Sequence, residues 1–333
     1  MQNNTIYNQF KSLEKGEENS NEFKVISLPN SNHKLGISPE GFPKFFVCTN
    51  DTASEFDNIT LELLWVVYNQ QCTLKESNDS SQSNVFSIIT LRSTEDALQA
   101  YFIEIFCLML AKLPKLPTRR ELAIEIETLI SIFTALKKKP IKEIQGIWAE
   151  LLVIENSLAP DTLITAWHSQ PNAKYDFTMG RDKIEVKSTS SEVRKHRFSL
   201  DQLNPSQNSR LLIASVVVRE SAKCSGGLSL KDLFDKICER VSDVNLQLKL
   251  YSTLTLAIGN DYKKWDSIAF DYIEASDTLA FYNAEEVPSI NKDDVPEFVS
   301  EVKFSSDLSH LENIKDGQSD FDRSDSELYI SLF

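Results

Sequence analysis

Two periods of hydrophobicity alternate along the chain, and each change of period marks a change of element. Residues 1–22 are polar and read as a loose arm, and 24–49 read as extended chain broken by Pro29, Pro39 and Pro43. Two strands are predicted over 59–73 and 85–92, joined by a loop, KESNDSSQSN (75–84), too hydrophilic to pack. Ser93 and Asp96 form a capping-box signature ahead of an amphipathic helix over 94–113. A second helix follows Pro114 and Pro117 and covers 118–138, ending in Lys137–Lys139, where cations suit the helix dipole. Pro140 opens a third helix over 141–158, which stops before Pro160.

The pattern then turns to period two. Short strands are predicted at 163–167 (LITAW), 174–179 (KYDFTM) and 183–189 (KIEVKST), with Gly180-Arg181-Asp182 as the turn between the last two. Residues 199–208 read as a short helix or loop, and LLIASVVVR (211–219) as a strand buried on both faces. One or two helices are expected over 229–257, strands at 267–274, 278–283 and 298–304, and a polar, mobile tail from 313 that ends in LYISLF. The organisation expected is an N-terminal α+β module (1–115), a central core (116–222) and a C-terminal helical and β region with an acidic tail (223–333).

Composition narrows the chemistry. The chain has 333 residues with 41% hydrophobic and 25% charged, as in ordinary globular proteins. It carries neither G-x-x-x-x-G-K-[ST] nor G-x-G-x-x-G, which removes nucleotide binding through those loops. No apolar run is long enough for a membrane span, and the N-terminus lacks the order of a signal peptide. Five cysteines, widely spaced and without C-x-x-C, argue against a disulfide framework or structural zinc and point to a cytoplasmic setting.

A net charge of −14 looks hostile to nucleic acid, but 16 acidic and 4 basic residues fall from 271 onward, leaving 1–270 close to neutral. Residues 111–142 carry 8 basic residues against 3 acidic, and 181–210 carry 7 against 4. Such stretches are either solvated surface or contacts for a polyanion.

Candidate chemistry lies between 146 and 187. GIWAELLVI (146–154) holds a single charge, Glu150, on a helix apolar on nearly every side. A carboxylate there needs a cation or donors. Glu155 faces the apolar arc more squarely, so the choice between the two stays open at this stage. Asp176 lies on one predicted strand, and Glu185 and Lys187, two apart on the next, share a face, with Ile184 and Val186 turned to the core. Paired strands would bring Asp176 beside Glu185, and a hard divalent cation, Mg²⁺ or Mn²⁺, resolves the repulsion of the two carboxylates. Lys187 would then orient an attacking water or stabilise phosphoryl charge. The bland alternative is a surface hairpin with alternating charges.

Asp176, eight residues, then Glu185-Val186-Lys187, set between an apolar helix and an apolar strand, resembles the signature of the PD-(D/E)XK nuclease superfamily. The words GIWAELLVIE, AWHSQPNAKYDF, IEVKSTSSEVRKHRFSLDQL and LLIASVVVRE resemble more closely a bacterial branch of it associated with restriction and phage-defence genes. The resemblance implies an α/β (α+β) protein with a restriction-endonuclease-like αβββαβ core, a mixed central sheet, and flanking modules. It implies Asp176, Glu185 and Glu150 as ligands of Mg²⁺ or Mn²⁺ and Lys187 as the catalytic lysine. It also implies Gln202 as a polar residue on the second core helix near the metal or DNA. Tyr175 replaces the name-giving proline, and Ser206 stands where a Q-x-x-x-Y motif has tyrosine.

In that frame Arg181, Lys183, Arg194, Lys195 and Arg197 would contact DNA phosphates, positioning a backbone without reading sequence. His196 is either a catalytic base or a solvated loop histidine, Trp148 and Trp167 are core, and Cys224 lacks the partners of a thiol hydrolase. The expected activity is metal-dependent DNA phosphodiester hydrolysis in a restriction or defence system. The alternatives are an inactive nuclease-like DNA-binding or scaffold subunit, or an RNA-directed nuclease. Expected partners are DNA, a helicase, ATPase or methyltransferase of the same operon, and a second copy in a homodimer, with no membrane.

Overall fold

The computed structural model describes residues 2–15, 22–29, 31–50, 56–76, 81–168, 173–316 and 321–333. The chain forms two compact units, Met1–Lys137 and Lys138–Phe333. The centre of the 75–84 loop, residues 77–80, and residues 169–172 of the quoted AWHSQPNAKYDF word lie outside the described residues.

The first unit opens with helix α1 (Gln2–Lys11), where the sequence reading had a loose arm. Phe10 and Ile6 of this helix are buried, so its apolar spacing is used after all. Strands β1 (Glu22–Ser27), β2 (Lys34–Ile37), β3 (Pro43–Val47), β4 (Ile59–Thr60), β5 (Leu64–Lys75) and β6 (Ser81–Leu91) follow. They order as β1-β2-β3-β6-β5-β4, and β1 also pairs in parallel with β5, so five strands close on themselves. Helices α2 (Asp96–Lys112) and α3 (Arg119–Ala135) complete the unit. Phe45 of β3, Phe102 and Phe106 of α2 and Phe133 of α3 meet in one aromatic core.

The predicted Ser93–Asp96 capping box does not form. Ser93 Oγ takes the Glu95 amide at 3.1 Å, and Glu95 is the cap residue. A reciprocal box does form at Thr118 and Glu121, opening α3.

The second unit holds the candidate chemistry. Its elements are α4 (Ile144–Asn156), α5 (Pro160–Ala166), β7 (Phe177–Met179), β8 (Asp182–Thr189), β9 (Lys195–Ser199), β10 (Arg210–Val217) and β11 (Gly227–Ser229). After these come α6 (Leu230–Arg240), α7 (Val244–Ile258), β12 (Ala269–Asp271), α8 (Tyr272–Thr278), β13 (Ala280–Asn283), β14 (Lys303–Asp307) and α9 (Glu327–Ile330). The central sheet orders as β13-β10-β8-β7. β8 and β10 are parallel and the outer pairs antiparallel, so the unit is a mixed α/β fold around a mixed sheet. α4 is buried along almost its whole length and packs on β8, α6 and α7.

Several expectations are corrected. Residues 163–167 are not a strand. Pro160 stands at the first helical position, and Leu163, Ile164 and Ala166 are buried from α5. A short apolar run carries no period that separates strand from helix. The 174–179 strand shrinks to β7, so Asp176 lies just ahead of it. The 267–274 strand ends at Asp271, whose carboxylate caps α8 through the Glu274 amide. Residues 200–203 are turns rather than a core helix, and β9 pairs with β14 instead of joining the central sheet.

The tail is not loose at its end. Leu328, Tyr329 and Leu332 are buried, and the Leu158 amide donates to Ser331 O at 2.8 Å. Among the described residues, no helix is long and apolar enough to cross a membrane.

Candidate metal and phosphodiester site

β8 provides the frame. Asp182–Thr189 pairs with β7 on one side and with the apolar β10 on the other, so its central side chains are shielded from water. A two-residue turn, Gly180-Arg181, closes the β7–β8 hairpin. Gly180 has φ of +55°, where a residue without Cβ is unstrained. Extending the Phe177↔Ile184 pairing by one residue puts Asp176 opposite Glu185.

Glu150 and Asp176 converge on one lysine. Lys142 Nζ lies 2.5 Å from Glu150 Oε1 and also donates to Asp176 Oδ1. The other oxygens are held by fixed donors. Trp167 Nε1 donates to Glu150 Oε2 at 2.8 Å, His168 Nε2 lies 2.9 Å from the same oxygen, and the Val186 amide donates to Asp176 Oδ2 at 2.7 Å. Glu150 and Asp176 are 3% and 6% exposed, so these partners replace water almost completely.

His168 is placed by a strained backbone, with φ of +39°, and its amide donates to Asp176 O at 2.9 Å. Strain of this kind costs about 1–3 kcal/mol and persists only where surroundings impose it. Of Glu150 and Glu155, the structure brings Glu150 to Lys142, His168 and Asp176. Glu155 bonds Tyr272 and Asn156, away from Lys142, His168 and Asp176.

Glu185 and Lys187 form the second half. Lys187 Nζ is 2.7 Å from Glu185 Oε1, which also accepts from Gln202 Nε2. Gln202 is held in turn, its Oε1 taking the Ser199 amide at 3.0 Å and its carbonyl the Tyr175 hydroxyl at 3.1 Å. Gln202 thus reaches Glu185 from a turn instead of a helix.

The electrostatics are those of too much negative charge in a dry place. Burial, with the Asp176 charge adding to it, pushes Glu185 up to about 8. Burial and Glu150 raise Asp176 in the same sense. Burial would raise Glu150 too, but the His168 hydrogen bond and the Lys142 charge outweigh it and hold Glu150 below its ordinary value. Burial lowers Lys142 less than the two carboxylates raise it, so its ammonium is firmly charged.

This donor set fits a divalent ion. One ligand atom from each of Glu150, His168 and Asp176 lies within 4.8 Å of the others. Carboxylates with one imidazole suit Mg²⁺ or, better, Mn²⁺. Glu185 sits in the adjoining half, with Lys187 and Gln202.

The predicted phosphate contacts divide. Arg197 is exposed and, with Lys303, Phe198, Ser199 and Gln202, lines an open cleft of about 450 Å³ that reaches the site through Gln202. Lys195 is exposed on the same strand. Arg194, by contrast, donates to Ser215 O at 2.8 Å and to Thr278 O, tying β10 to the end of α8. Arg181 pairs with Asp325, and Lys183 Nζ donates to Gly180 O.

His196 is neither a base at the site nor a loop histidine. It is buried, 2.7 Å from Ser215 Oγ, and burial pushes it down to about 4. Trp148 and Trp167 are fully buried as expected, although Trp167 also serves the site.

Sequence reasoning missed Lys142 and His168. Lys142 is one of 8 basic residues in 111–142, and His168 is one of the chain's 4 histidines. The visible signal was their position, each just outside one end of the buried α4–α5 segment.

No curated protein and no solved structure matches the chain. The family described as "Putative PD-(D/E)XK family member (DUF4420)" matches residues 6–309, across both units. With that match, and the carboxylates and lysine of the D-x₈-E-x-K pattern gathered around one buried strand, the chain belongs to this PD-(D/E)XK family.

Proposed function

We propose that this protein is a metal-dependent DNA phosphodiester hydrolase of a bacterial restriction or phage-defence system, acting in the cytoplasm. The observation that carries the reading is the approach of Glu150, Asp176, Glu185 and Lys187 to one buried end of the β7–β8 hairpin. Asp176, Glu185 and Glu150 would hold Mg²⁺ or Mn²⁺, with His168 at hand, and the ion would supply Lewis-acid chemistry at a phosphate oxygen.

The remaining work belongs to the chain. Lys187 presents ammonium protons at Glu185 Oε1, where a water or a phosphate oxygen entering the site would receive one. Gln202 fixes the Glu185 carboxylate. Arg197, Lys195 and Lys303, along the cleft and β9, would hold the nucleic-acid backbone. In this reading the second unit carries the catalytic core, and the first unit serves substrate and partner contacts, including a helicase, ATPase or methyltransferase and a second copy of the chain.

The test is Mg²⁺-dependent cleavage of plasmid, linear and single-stranded DNA by wild type and Lys187→Ala. Loss of about 100-fold or more in the variant is expected. Equal activity in the two overturns the reading.

One observation favours a second reading, a catalytically inactive nuclease-like DNA-binding or scaffold subunit. Every acidic member of the site already has a lysine partner within the chain. Absence of Mn²⁺ binding by the purified protein would put this reading first.

A further inference from the structure

Three carboxylates, two lysines and His168 meet in the site. Lys187 belongs to Glu185. Lys142 stands between the other two, against Glu150 Oε1 and Asp176 Oδ1, with His168 Nε2 at 3.4 Å. Each of these carboxylates keeps one oxygen on a fixed donor, Trp167 for Glu150 and the Val186 amide for Asp176. On these two carboxylates the oxygens left for a cation are the ones that Lys142 holds. A monovalent ammonium therefore sits where the donors converge.

We propose that Lys142 is a resident cation that fills the metal position of this site and must be displaced for a divalent ion to bind. The proposal rests on the metal-dependent reading above. Retention of Lys142 beside the ion would set two cations between the same oxygens.

The geometry allows exchange without refolding. The backbone of the lysine is pinned, because the Ile141 and Lys142 amides both donate to Ala257 O, at 2.9 and 3.4 Å. At Gly259, just beyond α7, a Cβ would meet Lys138 O at 2.4 Å, so the strap around 138–142 lies directly on that helix end. Movement falls to the flexible side chain, which is 29% exposed and so has a path to water. Trp167 and the Val186 amide would continue to hold the two carboxylates after the ammonium leaves.

The test is Mn²⁺ binding by calorimetry to metal-stripped full-length protein, without nucleic acid. Lys142→Met is expected to bind Mn²⁺ at least 10-fold more tightly than wild type. Lys142→Gln, which keeps a donor for the carboxylates and so guards against a folding defect, is expected to shift the same way. In wild type, Mn²⁺ is expected to raise acylation of Lys142 by an amine reagent, read by mass spectrometry against the other lysines. Equal or weaker binding by both variants, or labelling of Lys142 that Mn²⁺ leaves unchanged or lowers, overturns the proposal while leaving the metal-dependent reading intact. No Mn²⁺ bound by wild type or either variant overturns both.

Discussion

Asp176 Oδ2 accepts the backbone amide of Val186 at 2.7 Å, and Val186 lies between Glu185 and Lys187. A residue ahead of β7 is thereby tied to the middle of β8, and its other oxygen is aimed at Lys142. One carboxylate joins the two halves of the site.

The two roles of Asp176 separate by substitution. Asp176→Asn keeps an acceptor for Val186 and loses the charge, so it should fold and bind Mn²⁺ about 10–100-fold more weakly. Asp176→Ala also orphans the Val186 amide and should cost about 1–3 kcal/mol more than the Asn variant. Calorimetry and urea unfolding of the pair measure the two effects. Equal stability of Asn and Ala variants would contradict the structural role.

Gln202 makes a narrower prediction. It touches Glu185 through Nε2 and is itself fixed by the Ser199 amide. Gln202→Ala should lower kcat/KM for DNA cleavage about 10-fold or more through loss of carboxylate orientation. Gln202→Glu should lower it further, because a like charge then faces Glu185. An active Glu variant would show that orientation is not its role.

Much of this was legible in residues whose neighbours in sequence are their neighbours in space. Glu185 and Lys187 share a face because a strand has period two, and a lone Glu150 in an apolar helix had to find partners. Lys142 and His168 were not legible, since what defines them is convergence from two chain segments onto Glu150. The fold showed the same divide. Helices α2, α3 and α4 came from strong periodicity, whereas α5 and α8 depended on local caps, Pro160 and Asp271, set in short apolar runs. The docking of Tyr329 depended on a pocket built by residues more than a hundred positions away.

Acid should destabilise the second unit through His196. Burial, with Lys187 and Arg194 nearby, pushes this histidine from 6.5 down to about 4. The unfolded chain takes up a proton that the folded chain refuses. The stability His196 contributes is complete above pH 6.5 and is lost as pH falls toward 4. His33, pushed down to about 4 by burial, gives the first unit the same sign.

Glu185 acts oppositely. It is raised from 4.5 to about 8, so its contribution is complete below pH 4.5 and is lost as pH rises through 8. Thermal melts should therefore show His196→Gln gaining on wild type between pH 6.5 and 4. Glu185→Gln should gain on wild type between pH 4.5 and 8. Each gain should be about 3 °C or more. Parallel curves would contradict both assignments.

The C-terminal segment should be a structural clamp on the β8–β10 pair. Tyr329 donates its hydroxyl to Arg210 O at 2.8 Å and also meets Lys183 O at 3.2 Å, bridging the first turns of the two parallel strands. Ser326 Oγ donates to Asp182 Oδ2 at 2.7 Å, while Asp182 Oδ1 takes Arg210 Nε at the same distance. Asp325 adds ion pairs to Arg210 and Arg181. These contacts hold the end of β8 that leads to Glu185 and Lys187. Tyr329→Phe keeps the buried ring and removes the bridge, which should cost about 1–3 kcal/mol. Tyr329→Ala also empties a fully buried site, and should cost about 3–5 kcal/mol. Hydrogen exchange should localise the loss in Tyr329→Phe to the amides of 182–185 and 210–213. Faster exchange confined to the last residues of the chain would show that the tail rests on the strands without holding them.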